Sequence, residues 1–146
     1  MRLCAPPPIL TSAERDATLV RLLEPLKADQ RTEAAVINGS LGGKTADRLS
    51  DIDVATVVLE SESADAVADD WIERMYREFP VAHHYRTQFG TTIVPGFLLT
   101  NGPEVDLAFT PAAEFAVWGP TRRAASHDRT GRRWRLRPGG RGPNRR

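Results

Sequence analysis

Three aspartates and one Gly-Ser pair are the residues of this chain whose types and spacing could do chemistry. Asp51-Ile52-Asp53 opens the apolar run Val54-Ala55-Thr56-Val57-Val58, and Asp106 lies within Val105-Asp106-Leu107. In a strand, successive side chains point to opposite faces, so Asp51 and Asp53 project from the same side. Two carboxylates held side by side repel, an arrangement that benefits neither a core nor a solvated strand. A hard divalent cation removes the conflict. Magnesium takes oxygen ligands and is commonly shared between one or two carboxylates and substrate phosphates. Upstream, Val36-Ile37-Asn38-Gly39-Ser40-Leu41-Gly42-Gly43-Lys44 joins a short apolar run to a glycine-rich turn. Gly39 has no Cβ to block a ligand, and amides exposed at Gly39-Ser40, running on into a helix N-terminus, would bind phosphate.

The surrounding elements must hold these groups in place. Thr11-Ser12-Ala13-Glu14 has the form of a capping box opening a helix, with Leu19, Leu22, Leu23 and Leu26 as its apolar face. Pro25 is expected to kink or end that helix near Glu24. Ala34 to Ile37 reads as a short buried strand, Gly43 to Arg48 as a short helix or helical turn, and Ile52 to Leu59 as the next strand. Ala64 to Phe79 is predicted to be the second long helix, with Val67, Trp71, Ile72, Met75, Tyr76 and Phe79 on one stripe and Pro80 as its stop. Val81 to Thr87 follows as a strand. Thr91 to Leu99 contains Pro95-Gly96, which points to an edge strand or a bulge. After the turn signal Asn101-Gly102, Glu104 to Phe109 alternates, with Val105, Leu107 and Phe109 facing one way and Glu104, Asp106 and Ala108 the other. If this last strand lies beside the strand of Asp53, Asp106 joins the other two acids. Three such acids suit a pair of magnesium ions, typically about 3.5 to 4 Å apart, for in-line phosphoryl or nucleotidyl displacement.

The ordered set of Gly39-Ser40, Asp51-Ile52-Asp53 and Val105-Asp106-Leu107 resembles the nucleotidyltransferase superfamily related to DNA polymerase β. Among its branches the chain is most similar to the small bacterial domains of aminoglycoside-type adenylyltransferases and minimal nucleotidyltransferases. The resemblance spans about residues 10 to 118. It implies an α+β fold, a small mixed β-sheet with helices packed mainly on one face. It also implies magnesium, two ions, with an NTP, ATP foremost, as substrate. Carried over by position, Asp51, Asp53 and Asp106 would be the catalytic metal ligands. Asp106 would also assist deprotonation of an acceptor hydroxyl, and Gly39 and Ser40 would hold the phosphates. Lys44 or Arg48 would neutralise the triphosphate, although the family pattern is loose there and both also read as surface charges. The acceptor would be a hydroxyl of a small molecule or a protein. The alternative is a weakly active or inactive binding module that works through a partner protein, as antitoxin-type minimal domains do.

The net charge of +1 hides a division. Residues 1–121 carry 10 Lys+Arg against 18 Asp+Glu, whereas residues 122–146 carry 10 Arg and only Asp128. The domain organisation expected from this is an irregular leader over 1–10, the nucleotidyltransferase-like domain over 11–121, and an Arg/Gly-rich tail over 122–146. The tail has Leu136 as its only aliphatic residue larger than alanine, too little apolar surface to offset chain entropy, so disorder is expected there. The larger antibiotic-modifying relatives carry a further helical domain that is not evident here. The abrupt change of composition is what a truncated or frame-shifted reading of a longer gene would produce. Trp134 among arginines fits phosphate binding with one stacking ring, but a tail without function is the plainer account, and nucleic acid is not the partner the sequence favours. No apolar run approaches the roughly 20 residues of a membrane span, and the start lacks the pattern of a secretory signal. Cys4 is the only cysteine, so no internal disulfide can form and a cytoplasmic setting is expected. His83 and His84 are adjacent, would point to opposite faces of a strand, and are expected to serve structure.

Overall fold

A computed structural model describes residues 12–37, 51–100 and 104–115. Among them the elements run α1 (Ser12–Ala28), β1 (Thr32–Ile37), β2 (Ile52–Val58), α2 (Ala64–Glu78), β3 (Val81–Phe89), β4 (Thr92–Leu99), β5 (Glu104–Pro111) and a short α3 (Ala112–Phe115). The strands form one five-stranded sheet in the order β1-β2-β5-β4-β3. The β2–β5 pair is parallel, and β1–β2, β5–β4 and β4–β3 are antiparallel. The sheet is therefore mixed, as expected.

Both long helices cover the same face of the sheet. Leu22 and Leu26 from α1, and Val67, Ala68, Trp71 and Met75 from α2, join Ile52, Val54, Val58, Ile93, Phe97, Leu99, Val105, Leu107 and Phe109 in the main core. The strand residues at odd steps from these fall on the opposite face, where, among the described residues, a small cluster forms, Val36, Ala55 and Ala108 with Val94 and Phe115 against it. Alternation along β5 thus divides as the sequence predicts, with Val105, Leu107 and Phe109 fully buried beneath the helices. One face is dry. The other holds Asp53, Glu104 and Asp106.

The helix starts and stops have local causes. Ser63 caps α2 through its hydroxyl, which accepts a hydrogen bond from the Ala66 amide at 3.3 Å. The Phe79 amide closes the other end on the Met75 carbonyl, before Pro80. Tyr76 is an exception on the predicted apolar stripe. It is exposed, and its hydroxyl meets His84 Nδ1 at 2.8 Å. His84 in turn stacks on Phe97, so its role here is to join β3 to α2. Arg86 makes a second join, pairing with Asp69 at 3.1 Å and with Asp65.

Two expectations need correction. Pro25, expected to kink or end the first helix near Glu24, does not end it, since the helix runs on to Ala28. Pro25 lies in the last turn, where it lacks one amide donor and its ring crowds the Arg21 carbonyl, and Leu26, fully buried, holds the turn against the core. The segment containing Pro95-Gly96 is not an edge strand, since β4 lies between β5 and β3. Its pairing to β5 runs from Ile93–Phe109 to Gly96–Asp106 with Val94 and Pro95 skipped, which spares the proline a donor it does not have. The expected cap at Thr11, the expected turn at Gly39-Ser40 and short helix over Gly43 to Arg48, and the tail over 122–146 lie outside the described residues.

Candidate functional site

The parallel pairing of β2 with β5 places Asp53 and Asp106 directly opposite each other. Neighbouring strands lie about 4.8 Å apart, so two short carboxylates on the same face at paired positions share one small volume. Each is half-buried on the face that carries no long helix, and Asp51, just before β2 begins, is exposed. Glu104 is on the same face of β5, two residues before Asp106. The electrostatic record of this crowding is on Asp106. Burial pushes its carboxyl above the ordinary range, and the charges of Glu104, Asp53 and Asp51 push the same way, against a hydrogen bond from Tyr85.

That hydrogen bond brings in a residue the spacing of the acids did not reveal. The Tyr85 hydroxyl donates to Asp106 Oδ1 at 2.8 Å and also meets Glu104 Oε1. Tyr85 is on β3, two strands away from β5, and Gly96 of β4 is the residue between them, paired with Tyr85 on one side and Asp106 on the other. A Cβ on Gly96 would stand 2.6 Å from Asp106 Oδ1 and closer still to the Tyr85 ring. Glycine is needed here for space. The phenol is held well above its usual acidity range by its bond to Glu104, then by burial and by Asp106, so it remains a donor. It has one proton for two carboxylates.

Of the residues singled out in the sequence, Asp53 and Asp106 are side by side and Asp51 stands at the mouth of β2. Gly39, Ser40, Lys44 and Arg48 lie outside the described residues. Among the described residues no three His, Cys, Asp or Glu side chains are gathered closely enough to enclose a metal ion. The donor chemistry nevertheless suits one. The paired groups are all oxygen, they repel, and a hard cation such as magnesium would relieve the strain that raises Asp106. Neither Tyr85 nor Gly96 could have been assigned from spacing. The only trace was the Pro95-Gly96 pair, which signalled an irregular strand but not its cause.

No family model and no curated protein matches the sequence. Solved structures do. Cid1 poly(U) polymerase with magnesium and 3'-dATP bound superposes with a TM-score of 0.54 at 22% identity, over 66% of this chain and 30% of that one. Its complex with MgGTP gives 0.53 at 21%, over 66% and 31%. A structure of Cid1 described for its RNA terminal uridylyl transferase activity gives 0.51 at 18%, over 72% and 32%. This chain thus spans about a third of the length of the proteins it matches. At these identities the likeness is one of fold: the mixed five-stranded sheet with its helices is a nucleotidyltransferase fold, shared with those structures.

Proposed function

We propose that this protein is a magnesium-dependent nucleotidyltransferase that moves a nucleoside monophosphate, AMP from ATP foremost, onto a hydroxyl. One observation carries the reading: Asp53 and Asp106 are register partners on adjacent parallel strands, on the open face of a nucleotidyltransferase fold. Asp51 and Asp53 would ligate the metal pair, with Asp106 as the third ligand and the group beside the acceptor hydroxyl. Gly39 and Ser40 would hold the nucleotide phosphates, and Lys44 and Arg48 would offset their charge. When bound, two magnesium ions would supply charge neutralisation at the triphosphate and a more acidic acceptor hydroxyl. The protein's own part is mainly positioning, as in phosphoryl transfer generally. The register of β2 with β5 sets Asp53 against Asp106. The active unit is the domain over residues 11–121, working in the cytoplasm.

The acceptor is the open part of the proposal. The sequence favoured a small molecule or a protein, and the argument against nucleic acid gains no support from solved structures named for poly(U) polymerase and RNA uridylyl transfer. A hydroxyl at an RNA 3' end therefore belongs among the acceptors tested. Labelled ATP, GTP, CTP and UTP, each with magnesium, should yield labelled product with at least one class of acceptor, and Asp51→Ala/Asp53→Ala should yield none. Equal label in that variant would sink the reading. The second reading, a weakly active module working through a partner protein, draws on the absence of three gathered ligand side chains among the described residues. Metal-dependent nucleotide binding without transfer to any acceptor would favour it.

A further inference from the structure

We propose that Tyr85 is a positioning residue for the metal site. Its hydroxyl reaches over Gly96 and fixes Asp106 by Oδ1, leaving the other carboxylate oxygen for a cation shared with Asp53. The inference rests on the reading of Asp53 and Asp106 as ligands.

Three things support it. The first is the row Tyr85, Gly96, Asp106 across three consecutive strands. A tyrosine side chain can reach a residue two strands away, roughly 10 Å, only if the strand between presents no side chain. Gly96 meets that need and has no positive φ to explain it, unlike Gly90. The second is that the contact is not a packing device. Tyr85 is 42% exposed, and its ring lies on the face away from the main core. The third is chemical. Carboxylates that ligate metals are themselves held by hydrogen bonds from outside the ligand set, and those partners fix orientation. Asp106 has such a donor, supplied from a strand that carries none of the three acids.

The test uses the full chain and Mn²⁺ as the probe, with free Mn²⁺ followed by electron paramagnetic resonance in the presence of a non-hydrolysable ATP analogue. Tyr85→Phe keeps the ring and removes the hydroxyl, and should weaken Mn²⁺ binding roughly 10- to 100-fold, the usual effect of losing such a support. Its transfer rate should fall with KM for the nucleotide unchanged, and should recover as Mg²⁺ is raised, a rescue that a merely structural role would not give. Gly96→Ala should weaken Mn²⁺ binding as well, because its methyl group would displace the ring. Wild-type affinity or tighter binding in Tyr85→Phe overturns the role of Tyr85, while loss of Mn²⁺ binding in Asp53→Asn and Asp106→Asn leaves the ligand assignment standing. If the wild-type protein binds no Mn²⁺ that those two variants remove, the ligand assignment and the inference fall together.

Discussion

Two aspartates in this chain are shifted in opposite directions, and the difference separates an acid that stabilises the fold from one that does not. Asp29 follows α1, with its side chain only 11% exposed, and accepts from Arg31 Nη2 at 2.9 Å and from Trp71 Nε1 at 3.1 Å. Burial alone would raise its pKa, but the bonds from Arg31 and Trp71 prevail and bring it down to about 2. A carboxyl depressed in the folded state stabilises the fold above its unfolded pKa, and that contribution is lost as pH falls through the folded one. The window here lies between roughly pH 4 and pH 2. Asp29→Asn should therefore lower stability at neutral pH by about 1 to 2 kcal/mol. It should also flatten the acid limb of a melting curve measured from pH 5 to pH 2; an unchanged limb would count against the network. Asp106 has the reverse sign. Raised by burial and by the charges around it, it favours the fold when protonated and costs stability as pH rises.

The elements stand or fall by what they bury. α1 ends in a turn containing Pro25, and the Asp29 amide still reaches the Pro25 carbonyl at 3.0 Å. What keeps that turn helical is the core contact of Leu26 together with the Thr32 hydroxyl, which donates to the Leu26 carbonyl at 2.8 Å. Leu26→Ala should cost about 2 to 5 kcal/mol, the range for emptying a buried leucine site, with loss of far-UV helical signal from the end of α1. A change below about 1 kcal/mol would mean that the turn is held by its local bonds alone. β3 is an edge strand, and its joins to α2 through Arg86 and His84 are polar and exposed. Exposed ion pairs contribute little each, so the position of Tyr85 depends more on the ladder to β4 than on them.

For the whole molecule, the proposed nucleotide site on the open face would link ligand binding to folding. A ligand that binds only the native state stabilises it by about 2.7 kcal/mol at a hundred times its Kd. Saturating MgATP, or whichever nucleotide the transfer assay selects, should raise Tm, and neither magnesium nor nucleotide alone should do as much. Asp53→Asn should remove the shift; its persistence there would place nucleotide binding somewhere else. Much of this was legible in the residues. Alternation along Glu104 to Phe109, the leucine face of α1 and the stripe from Val67 to Met75 fixed which side of each element is apolar, because burial selects for a period that a linear sequence displays directly. Periodicity also put Asp53 on the face away from the core, whereas Asp51, expected beside it on the same strand, lies just before β2 begins at Ile52. Periodicity could not say that β2 and β5 would be neighbours, that β4 would lie inside the sheet, or that Tyr85 would cross Gly96 to reach Asp106. Those relations join positions 10 to 53 residues apart, and they are decided by how the strands pair once the helices have claimed one face, a choice no local pattern records.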